Sequence, residues 1–418
     1  MEPAFDWVHG ASASISHTMM DRVRYEYDGP VLHFGDSCVD DLHAAIRHTG
    51  AQRALIVCGR SVGANPAVIE PIRDGLGDTF GGLFAETTPD KRLATAVAAS
   101  HRLTDEQADV IVAVGGGSSL DVAKTASALG SGDLNQPELT QTFGEQGTIP
   151  VSENPIPLIV IPTTLAGADL SFGAGITADP ATDPIDKPVS GGVSNPALMP
   201  AAAFYDPSIV ANTPMDVLAG SAMNGFDKGI ETLYAPSATP ITDATAARGL
   251  RLLRRGLPEL IASEGDTDTI STILEGTVLV QYGIARPDAR KLSIIHALGH
   301  GVKATVDVQQ GLVHAIMVPH VLRFIFDRVE GRRRFLGDAL GVDTHLGDDA
   351  LADEIISTVE LIRDRLRLPS RLHEIPGLTR DHLDLIAKRT ADDSLMANQP
   401  RGIDMDETAL LKLLERAW

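Results

Sequence analysis

Residues 110–124 read VIVAVGGGSSLDVAK, and this stretch constrains the fold more tightly than any other. Val110–Val114 is an apolar run of strand length with no polar face, so it predicts a strand buried on both sides. Glycines follow, then two serines, then a helical segment. Glycine lets a backbone approach an anion without Cβ obstruction. A helix start adds free N–H groups and the positive end of a dipole. The order strand, glycines, helix therefore predicts a pyrophosphate cradle built from Gly116, Gly117, Ser118 and Ser119. The fragment lacks the GK[ST] ending of a P-loop, which argues against a nucleoside-triphosphate hydrolase.

The surrounding pattern agrees. Ala54–Cys58 and Leu158–Ile161 are further apolar runs of strand length, and Val31–Gly35 reads as a strand at an edge. Asn65-Pro66 reads as a cap and first-turn proline opening a helix to about Gly75, and Lys91–Leu103 has helical spacing. Strands alternating with helices predict a parallel sheet. After Asp206 the period becomes 3.6. Helices are expected over Met215–Tyr234, Asp243–Leu257, Thr267–Gly283, Asp288–Gly301, Leu312–Phe326, Asp349–Leu366 and Glu407–Trp418. Asp179–Pro200 reads as a loop or hairpin before that change. The 418 residues exceed one ordinary core. The expectation is an α/β domain over residues 1–206 and an all-helical domain over 207–418.

Composition narrows the function classes. Acidic residues outnumber basic ones 56 to 35, a net charge of −21, and no local basic patch is visible, so a nucleic-acid partner is disfavoured. The basic residues divide into 8 Lys and 27 Arg. Few lysines among many carboxylates suits a halophilic, high-salt cytoplasm, with an ordinary acidic bacterial surface as the alternative. Cys38 and Cys58 are too few for a disulfide scaffold. No apolar run of about 18 residues predicts a membrane span, and the start MEPAFDWVHG has no secretory pattern. A cytoplasmic protein acting on a small molecule, with a homo-oligomer allowed, is the expectation.

GGGSSLDVAK resembles the signature of the iron-containing (group III) alcohol dehydrogenases, with Asp121 and Lys124 at its Asp-x-x-Lys positions. Further motifs of that family fall in order: Phe34-Gly35, Pro162–Thr164, Tyr205–Pro207, Ile230-Glu231, His296 with His300, and Pro319-His320. The resemblance implies the dehydroquinate synthase-like fold of these enzymes, with residues 1–206 as the dinucleotide-binding domain, 207–418 as the catalytic domain, and nicotinamide-dependent redox chemistry between them. Thr163 and Thr164 match the family's threonines around the adenosine and phosphates. Gly59 stands where NAD-preferring relatives commonly carry Asp, and Arg60 and Ser61 are placed to contact a 2′-phosphate. NADP is therefore slightly preferred over NAD.

The resemblance also exposes a departure. Family members with iron or zinc use one Asp and three His, and those positions here hold Asn224, Lys228, His296 and Gln310. An ammonium at a ligand position repels a dication by several kcal/mol even at an effective dielectric of about 20. The expectation is that no metal binds tightly. Asn224, the LAGAD segment at Leu165–Asp169 and the LYAP segment at Leu233–Pro236 resemble the maleylacetate reductase branch. Lys228 would then supply the positive charge, His300 orientation or proton delivery beside His296, and Asn224 and Gln310 neutral donors. Lys228 could instead be an ion-pair partner of Asp227 or Glu231. Arg286, Arg290 and Lys303 are candidate contacts for an anionic substrate, while His314 and His320 receive no chemical role. Rival readings are a metal-dependent alcohol dehydrogenase with an unusual ligand set, a catalytically inactive cofactor-binding homologue, and a dehydroquinate synthase-like enzyme.

Overall fold

The computed structural model describes residues 29–130, 136–285 and 292–418. Six parallel strands form the main sheet: β1 (Val31–Phe34), β2 (Ala54–Gly59), β3 (Phe80–Thr87), β4 (Val110–Gly115), β5 (Leu158–Pro162) and β8 (Ala202–Tyr205), in the order β1-β8-β5-β4-β2-β3. An antiparallel hairpin, β6 (Gly173–Ala178) with β7 (Val189–Ser194), stands apart. The helices that matter here are α1 (Pro66–Leu76), α2 (Leu93–Asp105), α3 (Gly117–Leu129), α4 (Met215–Tyr234), α5 (Pro240–Gly256), α6 (Thr267–Ile284), α7 (Ile294–Lys303), α8 (Gln310–Phe326), α9 (Asp348–Arg365), α10 (Leu383–Ala391) and α11 (Glu407–Ala417). Among the described residues no strand follows Tyr205, and no helix is long and apolar enough to cross a membrane.

The central strands are apolar at every position because both faces are covered. Ile56, Cys58, Val112, Val114 and Ile161 point into a core closed by Ile69 and Ile72 of α1. Leu55, Val57, Ile111, Ala113 and Val160 point the other way, onto Ala99 and Leu103 of α2 and Leu120 and Ala123 of α3. So the chain leaves β2 for one face and β4 for the other. Adjacent strands whose crossovers diverge leave a crevice at their carboxyl ends, where open α/β sheets take their ligands.

Asn65 caps α1 as expected, its Oδ1 accepting from Ala67 N at 3.1 Å. β3 and β8 were not legible: β3 carries two glycines on a partly exposed edge, and β8 has only four residues. The segment expected as a helix from Asp288 begins its helix at Ile294, residues 288–291 lying outside the described part. Asp179–Pro200, expected as a loop or hairpin, holds the second strand of the hairpin and its connection while β6 precedes it, and a helix at Arg333–Leu340 and α10 were not anticipated.

Two close approaches seat the helices around the crevice. A Cβ on Gly311 of α8 would lie 1.7 Å from Gly220 O of α4, and one on Gly225 would lie 2.4 Å from Leu165 O. Only glycine lets α8 and the loop after β5 touch the α4 backbone at these points.

Candidate active site

The strand–glycine–helix turn expected as a phosphate cradle forms as a backbone unit. β4 ends at Gly115 with φ +142°, and α3 starts at Gly117 with Gly116 as an N-cap that has no side chain to offer. A Cβ on Gly116 would meet Thr164 Cγ2 at 3.0 Å, and one on Gly117 would meet Ala168 Cβ at 3.3 Å. The loop after β5 thus roofs the helix start, leaving uncapped N–H groups for an anion. Thr163 joins the same edge, its N–H donating to Gly115 O at 3.1 Å. Ser119 turns to Thr87 Oγ1 at 2.6 Å, tying the ends of β3 and β4 together.

Gly59 closes β2 beside this cradle, and Arg60 and Ser61 are exposed on the next turn, with no ion pair at Arg60 among the described residues. Asp121 forms an ion pair with Lys91 at 2.5 Å. Lys124 is fully buried and donates to Ala168 O at 3.1 Å, burial holding its pKa below the usual lysine range. Asp121 and Lys124 therefore hold the loops that shape the cradle.

Lys228 lies deeper, on α4. Its Nζ donates to Gly167 O at 2.6 Å and to Gln281 Oε1 at 3.3 Å, so the ammonium anchors the loop after β5 to α4 and α6. Burial lowers its pKa to about 8, against the opposing pull of Asp169. Neither Asp227 nor Glu231 hydrogen-bonds to it among the described residues, so the expected alternative of a direct ion pair with one of them is not formed. Asp169 instead accepts a short hydrogen bond from Tyr205 Oη. The chain has only eight lysines, yet Lys91, Lys124, Lys228 and Lys303 lie near enough for their charges to act on one another. Half of a scarce residue type clusters in one region. Arg286 and Arg290 lie outside the described residues.

His296 and His300 do not share an environment although they are one turn apart on α7. His300 is half-exposed, its Nδ1 2.8 Å from Asp393 Oδ2. His296 is buried between Glu231, with Nδ1 2.7 Å from Oε2, and Asn224, with Nε2 3.0 Å from Oδ1. Burial opposes its charge, but Glu231 and Asp227 raise its pKa to about 9. Glu231 also accepts from Ser293 N, Ile295 N and Tyr234 Oη, which explains a fully buried carboxylate at the start of α7.

Two residues matter more than sequence reasoning allowed. Asp227 and His314 are fully buried, with Asp227 Oδ2 3.0 Å from His296 Nδ1 and 3.2 Å from His314 Nδ1. Both Asp227 oxygens and both His314 nitrogens lack a hydrogen-bond partner. Burial, then Glu231, pushes the Asp227 carboxyl up to about 7, and burial holds His314 well below its usual range. The signal was present in sequence as spacing: Asp227 lies one helical turn from Glu231, and His314 one turn from Gln310.

Comparison with known proteins settles the kinship. Residues 30–207 match the model of the iron-containing alcohol dehydrogenases, and residues 218–418 match the C-terminal model of the Fe-containing alcohol dehydrogenase family.

The chain belongs to the iron-containing alcohol dehydrogenase family.

It is accordingly an oxidoreductase. The NAD-dependent methanol dehydrogenase of Bacillus methanolicus is 25% identical over 388 residues, covering 91% of this chain and 96% of that protein. Maleylacetate reductase 2 of Cupriavidus pinatubonensis is 28% identical over 296 residues, 70% of each chain. The crystal structure of maleylacetate reductase from Agrobacterium tumefaciens superposes with a TM-score of 0.75 at 22% identity, covering 96% of this chain and 99% of that one.

Iron does not fit the family's ligand positions here. Asn224 and His296 close on each other directly, Lys228 turns to the Gly167 carbonyl, and Gln310 offers a neutral amide with an unpartnered Nε2. One imidazole, two amides and a cation make a poor donor set for a dication.

Proposed function

We propose that this enzyme transfers hydride between a nicotinamide dinucleotide, NADP in preference to NAD, and a small anionic oxo or enone compound. The observation that carries the reading is Lys228, a buried ammonium at a metal-ligand position and among the cleft lysines.

Gly116, Gly117, Ser118, Thr163 and Thr164 would hold the pyrophosphate and its neighbours, with uncapped N–H groups and a close-approach backbone supporting the fit. The exposed Arg60 and Ser61 at the end of β2 would meet a 2′-phosphate, where an acidic residue would repel it. When bound, the dinucleotide supplies or accepts the hydride. Reduction of a carbonyl or conjugated alkene builds negative charge on oxygen, and a preorganised positive group stabilises that charge. Lys228 spends two N–H donors on Gly167 and Gln281, which fixes the ammonium and leaves its third donor for the substrate oxygen. Asn224 orients His296 at the family's ligand positions, and Gln310 brings its amide to the same region from α8. His300, held by Asp393 and open to solvent, is placed to deliver a proton. The lysine cluster selects a substrate carrying carboxylate or another anion.

The test is oxidation of NADPH and NADH by purified enzyme against oxo acids and enone carboxylates, beside neutral aldehydes and ketones of matched size. Anionic substrates should give the higher kcat/KM. Turnover confined to neutral alcohols and aldehydes, restored only by added iron, would overturn the proposal.

A further inference from the structure

Asp227, His296 and His314 come from three different helices, α4, α7 and α8, and present one carboxylate and two imidazoles to a common point. Their ligand atoms all lie within 4.8 Å of one another, and all three residues are buried. The separations of 3.0 and 3.2 Å from Asp227 Oδ2 to the two Nδ1 atoms are those of donors sharing a cation at about 2.0–2.1 Å. The imidazoles stand edge to face, with ring centroids 4.4 Å apart.

Hydrogen bonding within the protein does not account for this arrangement. His296 Nε2 faces the Asn224 carbonyl oxygen, which places a proton on Nε2, and Nδ1 is aimed between two carboxylates, where it takes either a second proton or a cation. A second proton, on Nδ1, would serve Glu231, which already accepts from Ser293, Ile295 and Tyr234. It would leave Asp227 with no more than the 3.0 Å contact to that Nδ1, and both His314 nitrogens with no hydrogen bond. Buried polar atoms in native proteins are almost always partnered, and a buried carboxylate with no partner is strongly disfavoured. One dication satisfies Asp227, His296 Nδ1 and His314 Nδ1 together. Asp227 offsets one of the dication's charges, and the Glu231 carboxylate beside His296 lies near enough to offset the other.

We infer that Asp227, His296 and His314 form a zinc-class divalent cation site, one helical turn along α4 and α8 from the family's ligand positions. Two imidazole nitrogens and a carboxylate oxygen suit Zn²⁺. The ligand side chains are at most 5% exposed, so the ion cannot reach a substrate. It pins α4, α7 and α8 together and fixes the ring of His296. It therefore coexists with Lys228 as the charge in the cleft above, and the site stands whether or not that mechanistic reading survives.

The test is metal analysis of tag-free protein purified from zinc-supplemented medium without chelator, by mass spectrometry, beside H314L, D227N and H314Q. About one zinc per chain is expected in the parent, and at least tenfold less in any of these variants that folds by circular dichroism. Chelator-stripped parent should regain its thermal midpoint on addition of Zn²⁺, whereas folded variants should show no such rise. K228M and Q310L, which alter the family's ligand positions, should keep the zinc. A parent free of zinc before and after Zn²⁺ addition overturns the inference. So does zinc retained in H314L, or zinc lost in K228M or Q310L.

Discussion

Replacing Lys228 with methionine separates a working charge from a structural one. The side chain keeps its length and loses its ammonium. If that ammonium stabilises the developing oxyanion, kcat for an anionic oxo substrate should fall by roughly 10²–10³, about 3–4 kcal/mol of transition-state stabilisation. Cofactor affinity should change little, because the pyrophosphate cradle lies on α3 and the β5 loop. Stability should respond differently. A lysine whose pKa drops from 10.5 to about 8 carries about 3 kcal/mol of unfavourable charge burial at neutral pH. Methionine relieves that and forfeits the hydrogen bonds to Gly167 and Gln281, about 1 kcal/mol each. The net effect is a fold of equal or slightly greater stability. Steady-state loss of reduced-nicotinamide absorbance gives kcat and KM, and thermal unfolding gives the stability. Unchanged turnover together with a thermal midpoint lowered by several degrees would refute the reasoning and make Lys228 a structural anchor of the β5 loop.

Arg60→Ala should raise the KM for NADPH about tenfold and leave that for NADH nearly unchanged, since only the 2′-phosphate distinguishes them; equal effects would remove Arg60 from cofactor choice. Gly311→Ala places a methyl 1.7 Å from the Gly220 carbonyl, so α4 and α8 must separate; a loss of about 3 kcal/mol or more in chemical denaturation is expected, and a loss under 1 kcal/mol would contradict the packing. His320 is held down to about 4, by burial and then by Arg371, Arg363 and Arg416. Its unfolded form takes a proton first as pH falls below about 6.5, so native stability drops between pH 6.5 and 4 by about 2 kcal/mol after solvent screening. His320→Gln should flatten that part of the pH–stability curve relative to the parent, and superimposable curves would rule the contribution out.

The sequence by itself determined the layered α/β half, the helical half and the strand–glycine–helix turn between β4 and its helix. Val110–Lys124 is local: its apolar run, glycines and helix start specify one supersecondary unit, and the structure forms it. Strands buried on both faces declare themselves as unbroken apolar runs, which is why β2, β4 and β5 were legible while the edge strand β3 and the short β8 were not. The identity of the degenerate ligand positions was also readable, because it depends on residue type alone. Tertiary structure decided the partners. His296 and His300 share a helix and a spacing, yet one is enclosed by α4 and α8 while the other meets Asp393 in solvent. Lys228 pairs with neither neighbouring carboxylate because the loop after β5 brings the Gly167 carbonyl to it across the sequence. Asp227 and His314 acquire meaning only when α4 and α8 touch at Gly220 and Gly311 and α7 brings His296 to them. Helical periodicity fixes which side of a helix a residue occupies; what stands opposite is fixed by packing between segments far apart in the chain.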